Sequence, residues 1–518
     1  MAFLAIDAGT GSVRAVIFDE SGNQVASAGK EWTHHSDSRY PGSMNFDTEH
    51  NYGLVLDCVR EALTHAKLDG AAVEAVSATS MREGFVVYGS KGKEIWACAN
   101  VDSRASAEVS ELRALDPNLE WQSYESSGQT FALSAQPRLL WLKKNEPAIY
   151  GQAERIGMIS DWILTKLSGE FSSEPSNACS SGMFSLAEGA WSTENARACG
   201  LRDDLFPPVA QPGEVIGQVT SEVAKLTGLR AGTPVVSGGG DAQLAALGLG
   251  LVSPGQAAVV GGSFWQAMVN VDSPTVDPDM RIRMDSHVVP GIWQAEGIAF
   301  NPGIAVRWFR DAFGQSEVTE AAQLGIDPYE LLTKKAAAVP AGSYGVTTIL
   351  SDTMNYGKWI HAAPSFLNLS LDPERSGPAV LFRSLLENAA LVTRSHIEVI
   401  SSFTSTNPEE IVFAGGAAKS ELWSQILADV LGRPVQIPRV KEATALGAAL
   451  CAGVGSGAFS SVAEAGQTVA SMEKTVSPNT ATASVYQESY QRWRDAYPAQ
   501  LELARQGVTT PMWRAPGI

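Results

Sequence analysis

Cysteine is scarce in this sequence and is never paired. The five residues are Cys58, Cys98, Cys179, Cys199 and Cys451, an odd number with no C-x-x-C motif among them. We therefore expect neither a disulfide framework nor a cysteine zinc site, and predict reduced thiols in a cytosolic protein. The seven histidines form no metal-ligand cluster in the sequence.

The chain also lacks an excess of basic residues and an unbroken apolar run of membrane length. Lysine and arginine number 38 against 56 acidic residues, and the formal net charge of -18 argues against nucleic acid or an anionic membrane as partner. The uncharged stretch 242–271 is interrupted by Ser253-Pro254-Gly255 and Gly261-Gly262, so we predict buried turns and strands there. The N-terminus shows no basic region followed by a long apolar segment. We expect no signal peptide and a cytoplasmic location.

The length and the alternation of predicted elements indicate more than one α/β domain. A chain of 518 residues exceeds what one hydrophobic core usually serves. Each half contains one strand–turn–strand hairpin with a small-residue turn and one glycine turn that leads into a helix. We predict two related lobes around a central cleft, residues 1–250 and 251–455, followed by a helical appendage, residues 456–518.

The first glycine-rich turn lies between two apolar runs and reads Asp7-Ala8-Gly9-Thr10-Gly11-Ser12. It predicts a tight β-hairpin whose exposed backbone N–H groups could hold an anion. An ordinary turn is the alternative, because Gly and Ser are common in turns. In the functional interpretation, the turn binds the γ-phosphate of ATP, Asp7 holds Mg²⁺ through water, and Arg14 on the returning strand neutralises charge.

The second glycine-rich turn, Gly238-Gly239-Gly240, ends at Asp241, which opens a predicted helix. Asp241 could be a simple helix N-cap. Three preceding glycines exceed what a cap requires and allow a ligand to approach the backbone closely. We therefore predict that Asp241 orients an acceptor hydroxyl and takes its proton during phosphoryl transfer.

Polar residues at predicted strand ends are candidates for the acceptor site. Met81, Arg82 and Glu83 follow one predicted strand, and Asp102 lies in a similar polar stretch further on. A guanidinium beside a carboxylate suits a polyhydroxylated ligand. A surface charge pair and a helix start are the corresponding alternatives.

Two further small-residue turns lie in the second half of the chain. Gly261-Gly262-Ser263 resembles the first hairpin in design, and Gly415-Gly416-Ala417 follows a predicted strand. The first is a candidate second phosphate loop. The second could be an ordinary strand-to-helix turn or a slot in which adenine lies against the backbone.

These motifs together carry a family resemblance. Asp7-x-Gly9-Thr10-x-x-x-Arg14, Arg82-Glu83, Gly240-Asp241-x-Gln243 and Gly415-Gly416-Ala417 resemble, in order and spacing, those of FGGY-type carbohydrate kinases. The resemblance covers nearly the whole chain. It implies two actin-like, ribonuclease H-like ATPase lobes of the sugar kinase/actin/Hsp70 superfamily, with ATP and Mg²⁺ as cofactors.

Longer stretches resemble the branch of that family that acts on autoinducer-2; they are residues 80–84, 95–102, 158–162, 307–313, 361–366 and 441–447. The resemblance implies phosphorylation of the terminal C5 hydroxyl of linear 4,5-dihydroxy-2,3-pentanedione in quorum-sensing signal processing. It also implies control by the phosphocarrier protein HPr.

The resemblance assigns roles residue by residue. It makes Asp241 the base, groups Asp7, Thr10 and Arg14 around phosphate and Mg²⁺, and places Met81, Arg82, Glu83, Asp102 and Gln243 with Asp241 in the acceptor site. The chain departs from the family at Ser263, where the autoinducer-2 branch carries threonine, and at Leu133-Ser134, which lack the aromatic residue of glycerol kinases. Arg138 replaces a family lysine.

Three other functions remain open from the sequence. One is a kinase of the same fold for a pentulose or polyol such as xylulose, for which only the lining of the site would differ. Another is a nucleotide-driven switch related to actin or Hsp70, which the predicted base and the Arg82-Glu83 pair disfavour. A catalytically silent sugar sensor is disfavoured by the presence of both Asp7 and Asp241.

Overall fold

The computed structural model describes residues 1–353, 359–515 and 517. The strands in this part of the chain are β1 Ala2–Ala8, β2 Ser12–Asp19, β3 Gln24–Glu31, β4 His35–Asp37, β5 Tyr40–Asn45, β6 Val73–Ser80, β7 Phe85–Tyr88, β8 Glu94–Cys98, β9 Arg155–Met158, β10 Phe184–Ser185, β11 Ala190–Trp191, β12 Val215–Gln218, β13 Pro234–Gly240, β14 Ala257–Gly261, β15 Trp265–Val271, β16 Arg283–Ser286, β17 Trp293–Ala299, β18 Thr347–Ile349, β19 Ser365–Leu367, β20 Ile411–Ala414, β21 Val435–Pro438 and β22 Met472–Val476.

The α-helices in the same residues are α1 Thr48–Ala66, α2 Ser106–Leu115, α3 Leu119–Ser127, α4 Gln136–Asn145, α5 Pro147–Gln152, α6 Ile159–Ser168, α7 Pro175–Cys179, α8 Thr193–Ala198, α9 Ser221–Thr227, α10 Asp241–Gly248, α11 Pro302–Phe313, α12 Gln315–Leu324, α13 Pro328–Ala337, α14 Pro373–Ser376, α15 Pro378–Thr404, α16 Glu421–Leu431, α17 Ala443–Gly455, α18 Val462–Val469 and α19 Ala483–Arg505. Over the described ranges, none of these helices is both long and apolar enough to cross a bilayer.

Two large sheets share one topology. The first has the order β12-β13-β6-β1-β2-β3, with β1, β2 and β3 antiparallel, β6 and β13 parallel to β1, and β12 antiparallel at the edge. The second has the order β16-β17-β15-β14-β20-β21-β22. Its strands β14, β15 and β17 are antiparallel, β20 and β21 run parallel to β14, and β22 is antiparallel. The duplication predicted from the sequence pattern is therefore a duplication of topology, with β16 added at one edge.

The sequence of strand β1 is a nearly continuous apolar run, and the two faces of the first sheet explain why. Leu4 and Ile6 belong to the core on the side of α1, whereas Phe3 and Ala5 belong to a second core on the opposite face. A strand covered on both faces has no solvent side, so alternation of polar and apolar residues is absent. The first sheet is thus a central layer with helices on both sides.

Helix α17 lies in the N-terminal lobe rather than in the C-terminal lobe to which the sequence prediction assigned residues 251–455. Its residues Leu446 and Ala449 join the core that contains Phe3 of β1. It also crosses α10 closely, since a Cβ at Gly447 would lie 2.0 Å from the Leu244 carbonyl oxygen. The row of small residues in α17 permits this approach.

The segment after residue 456 is not a separate helical appendage. Strand β22 pairs with β21 at the edge of the second sheet, and Tyr486, Trp493 and Tyr497 of α19 are buried in the core of the C-terminal lobe. The prediction failed because the strand Met472–Val476 is short and mostly exposed, so the sequence gives it little apolar character.

Candidate active site

The loop between β1 and β2 is fixed from one side by hydrogen bonds. The Trp32 indole donates to the carbonyl oxygens of Gly9 and Thr10, at 3.1 Å each, and the Asn100 side-chain amide donates to the Thr10 hydroxyl at 3.0 Å. Thr10 and Gly11 are exposed, and no atom lies within 4 Å of the position of a Cβ on Gly11. The loop is therefore held in place while one surface stays open to a ligand.

Asp7 and Arg14 are directly opposite each other at the end of this hairpin. The Arg14 guanidinium forms an ion pair with Glu442, just before α17, at 3.1 Å. The pKa of Asp7 is raised to about 7, chiefly by burial and then by the negative charge of Asp241, while Arg14 acts in the opposite direction. Within the described residues the Asp7 carboxylate accepts no hydrogen bond. A cation bound beside Asp7 would therefore stabilise its ionised carboxylate.

Asp241 is the first residue of α10, and Gly240 occupies the N-cap position. Asp241 is therefore not the cap that the alternative interpretation required. The N–H of Gly240 donates to the Ser176 hydroxyl at 2.9 Å, and that hydroxyl donates to Glu174 at 2.6 Å. This chain of hydrogen bonds holds the start of α10 in place.

The Asp241 carboxylate is accessible to a ligand. Its side chain is 41% exposed, and one oxygen lies 3.5 Å from Nε of Arg82. Burial of the carboxyl group raises the pKa of Asp241, Arg82 lowers it, and Glu83 and Glu296 raise it further. Asp241 is thus close enough to Asp7, Arg82 and Glu83 to interact with all three electrostatically.

Arg82 joins the two lobes through buried ion pairs. Nη1 lies 3.0 Å from Asp285 on β16, and Nη2 lies 2.9 Å from Glu296 on β17. The Arg82 side chain is 4% exposed, and those of Asp285 and Glu296 are 0% exposed. Arg82 therefore orients its Nε–H toward Asp241 while the rest of its guanidinium is occupied.

A second arginine holds Glu83 in the same way. Nη2 of Arg283 lies 2.7 Å from Glu83, and Nε donates to Gln129 at 2.9 Å. Glu83 has a positive φ of 64°, and its carbonyl oxygen accepts from Arg138 at 2.5 Å. Such a conformation persists only where surrounding contacts impose it. We call Arg82, Glu83, Arg283, Asp285 and Glu296 the ion cluster.

The other predicted acceptor residues have different surroundings. Gln243 is buried and donates to Gln294 and Glu296 at 3.1 and 3.2 Å, so it supports the ion cluster. Met81 packs in the core of the N-terminal lobe. Asp102 has a fully buried side chain that pairs with Arg104 at 2.6 Å. The structure thus brings neither Met81 nor the Asp102 carboxylate to the cleft, contrary to the prediction.

A cleft in the C-terminal lobe unites the two remaining glycine turns. It has a volume of about 1060 Å³ and is lined by Gly261, Gly262, Ser263, Gly416 and Ala417, among other residues. A Cβ on the adjoining Gly415 would lie 2.5 Å from the Gly261 carbonyl oxygen, so the two turns are in contact. A cleft of this size accommodates a nucleotide.

The sequence reasoning missed the contribution of β16 and β17. Arg283 and Asp285 alternate along β16, and Gln294 and Glu296 alternate along β17. Charged residues at alternate positions of otherwise apolar strands are costly to bury unless they are paired. That alternation in the sequence could have indicated a polar face that contacts another part of the protein.

Over the described part of the chain, no group of three or more His, Cys, Asp or Glu side chains is placed to hold a metal ion. The Asp7 carboxylate, at the end of the first hairpin, could bind a metal together with water and ligand oxygens.

Comparisons with known proteins show the family to which the chain is similar. The sequence profile of the FGGY family of carbohydrate kinases, N-terminal domain, matches residues 2–248, and that of the C-terminal domain matches residues 266–456. The autoinducer-2 kinase of Photorhabdus laumondii is 50% identical over 516 residues, 99% of this chain and 97% of that protein. That of Yersinia enterocolitica is 52% identical, with 99% and 98% covered. The crystal structure of xylulose kinase from Rhodospirillum rubrum matches with a TM-score of 0.87 at 26% identity, over 98% of this chain and 100% of that one.

Proposed function

The chain belongs to the FGGY family of carbohydrate kinases, and on that premise we propose that it transfers the γ-phosphate of ATP to the terminal C5 hydroxyl of linear autoinducer-2. Membership of the family makes it a kinase with an alcohol acceptor. The identity of the acceptor rests on near full-length relatives of 50% and 52% identity that are autoinducer-2 kinases. A pentulose such as xylulose is the second candidate, and the likeness to xylulose kinase at 26% identity supports it less.

The observation that carries the proposal is the position of Asp241. It interacts with Asp7 on the side of the first hairpin and with Arg82 and Glu83 on the side of the ion cluster. A carboxylate between a phosphate loop and a polar acceptor site can orient a hydroxyl and take its proton as the phosphoryl group is transferred.

The remaining residues of the site are assigned to binding of the nucleotide or of the acceptor. We assign the γ-phosphate to the loop Gly9–Ser12 and the rest of the nucleotide to Gly261–Ser263 and Gly415–Ala417. The Nε–H of Arg82, which is directed at Asp241, and the Glu83 carboxylate would bind the oxygens of the acceptor and hold its terminal hydroxyl near Asp241. Most of the rate acceleration would come from this positioning and from charge neutralisation.

Asp7 would hold Mg²⁺ through water, and Arg14 would add positive charge from the opposite strand. The bound ion would supply charge neutralisation at the β- and γ-phosphate oxygens. The raised pKa of Asp7, with two further carboxyl groups nearby and one arginine opposite, supports this assignment.

The test is a coupled assay of ADP formation with the purified chain across autoinducer-2, xylulose, ribulose, erythritol and glycerol. We expect kcat/KM to be highest for autoinducer-2. A kcat/KM more than tenfold higher for xylulose than for autoinducer-2 would show that xylulose is the acceptor, although the chain would still be a kinase.

Asp241→Asn should abolish transfer while ATP still binds. The matched control is Asp47→Asn, because Asp47 caps α1 through a 2.9 Å bond to the N–H of His50 and asparagine caps equally well. Normal turnover by the Asp241→Asn variant would show that Asp241 is not the base.

We also place the protein in the cytoplasm, where ATP and an imported acceptor meet. Regulation by HPr stays a prediction, and measuring kinase activity with and without added HPr would test it.

A further inference from the structure

The C-terminal tail, residues 508–515 and 517, follows α19 and returns along the C-terminal lobe. It forms a short antiparallel ladder with residues 359–362. The N–H of His361 donates to the Trp513 carbonyl oxygen at 2.9 Å, and that of Ala515 donates to the Trp359 carbonyl oxygen at 2.9 Å. A third bond joins Met512 to Ala362 at 3.2 Å. These main-chain contacts fix the tail on the C-terminal lobe.

The end of the tail reaches the N-terminal lobe. The Ser110 hydroxyl of α2 donates to the Gly517 carbonyl oxygen at 3.2 Å. A Cβ on Gly517 would lie 2.7 Å from the Val109 side chain, so the tail and α2 are in close contact. The tail therefore connects the two lobes on one side of the molecule.

Trp513 of the tail is part of an aromatic group at the junction of the lobes. Its ring stacks on Phe300 with centroids 4.8 Å apart, and it meets Trp359 edge-on at 4.6 Å. Phe300 also contacts Phe264 at 5.6 Å. Phe264 directly follows Ser263 of the predicted second phosphate loop, so the aromatic group touches the nucleotide side of the cleft.

The same group is adjacent to the acceptor side. Ala132 and Leu133 of the N-terminal lobe and Ile298 of β17 pack against Trp359 and Trp513. Ile298 shares a face of β17 with Glu296 of the ion cluster, and the two are about 7 Å apart along the strand. We call Phe300, Trp359 and Trp513 with these three apolar residues the aromatic wall.

We propose that Trp513 and the tail complete the acceptor compartment, so that the aromatic wall sets the space for the carbon chain of the acceptor and excludes water from the transfer. This inference rests on the proposed kinase function and deepens it. The ion cluster would recognise the oxygens of the acceptor, and the aromatic wall, which adjoins Glu296 through Ile298 on the same face of β17, would line the neighbouring part of the compartment. A compartment left open there would admit water, which competes with the acceptor hydroxyl for the γ-phosphate and yields ADP and phosphate.

The test compares Trp513→Ala with Trp513→Phe and with Trp191→Ala. Trp191 is the matched control because it is also partly buried and stacks on Phe206 at 4.6 Å, but it belongs to neither the ion cluster nor the aromatic wall. We expect Trp513→Ala to raise the acceptor KM by about tenfold or more, as loss of an apolar pocket wall does. The KM for ATP should change less than twofold, and hydrolysis of ATP without acceptor should increase relative to transfer. Trp513→Phe should restore both values.

A Trp513→Ala variant with the acceptor KM and hydrolysis ratio of Trp191→Ala would overturn the proposal. If Trp513→Ala does not fold, the unmodified protein supplies the test through the rate at which carboxypeptidase removes the tail. Acceptor with a non-hydrolysable ATP analogue should slow that removal, and an unchanged rate would contradict the proposal. The assays use whichever acceptor the unmodified chain phosphorylates best, so a failure of the autoinducer-2 assignment remains distinguishable from a failure of this one.

Discussion

Replacing Arg82 with methionine would remove the guanidinium that is paired with two carboxylates of the other lobe. Nη1 and Nη2 lie 3.0 and 2.9 Å from Asp285 and Glu296, and neither carboxylate side chain has any exposed surface. Methionine keeps much of the volume, so the change is mainly one of charge and hydrogen bonding. The variant therefore measures what the buried ion pairs contribute to joining the lobes.

The loss of stability has one constant part and one part that depends on pH. Breaking a buried ion pair costs about 3–5 kcal/mol, and we assign that cost to the pair with Glu296. Burial raises the pKa of Asp285 to about 6, with Arg283 and Arg82 opposing the rise. Without Arg82 the Asp285 carboxyl group can stay neutral in the folded state. The variant then loses about 1.4 kcal/mol of stability relative to the unmodified protein for each pH unit above about 6, the pKa of Asp285 with Arg82 present.

The sign of the pH dependence follows from proton binding. In the variant the pKa of Asp285 rises further, so the folded state binds more protons than the unfolded state. The free energy of unfolding of the variant then falls, relative to that of the unmodified protein, as pH rises from about 6 to 8. The deficit should be up to about 3 kcal/mol larger at the upper end of this window than at the lower end.

Urea denaturation followed by tryptophan fluorescence at several pH values between 5.5 and 8 would measure the deficit. Arg104→Met is the control, because Arg104 is also buried and forms an ion pair with Asp102, which does not belong to the ion cluster. It should lose stability without a change in the acceptor KM. A deficit below about 1 kcal/mol for Arg82→Met, or one that does not grow with pH, would refute the reasoning.

Two further predictions concern neighbouring parts of the site. Arg283→Gln should raise the acceptor KM roughly tenfold, since Glu83 loses a charged partner at 2.7 Å; steady-state kinetics would show it, and an unchanged KM would argue against a positioning role. Gly11→Ala should fold normally but raise the KM for ATP, because the new methyl group would meet no protein atom and would occupy open space in which we expect phosphate. Gly415→Ala should instead lower the melting temperature, because φ is 87° there and the new Cβ would lie 2.5 Å from Gly261. Equal melting temperatures for the two glycine variants would contradict this contrast.

Local signals were enough to predict two elements that carry the candidate site. The hairpin that carries Gly9–Ser12 and the helix that begins at Asp241 both depend on residues close in sequence, so glycine spacing and apolar runs could locate them. The prediction for Met81 was wrong because the end of a strand places a residue at one edge of the sheet but does not determine which way its side chain points. Its neighbour Arg82 reaches Asp241 from the bend that follows β6, whereas the Met81 side chain packs in the core of the N-terminal lobe.

The contribution of the C-terminal lobe could not be predicted in the same way. Asp285 and Glu296 lie more than 200 residues from Arg82 in sequence, with separations of 203 and 214. Alternation along β16 and β17 can show that a polar face exists. Which residues it meets depends on how the two lobes pack, and a single sequence holds no local signal for that packing.

Both lobes contribute to the ion cluster, and the cluster resists their separation. Moving the lobes apart there would strip the guanidinium of Arg82 from two buried carboxylates, which is costly. The Arg14–Glu442 pair offers no comparable resistance. It is solvent-exposed, and Glu442 leads directly into α17, which packs in the core of the N-terminal lobe. The groups to which we assign recognition of the acceptor therefore keep their positions as long as the ion cluster is intact.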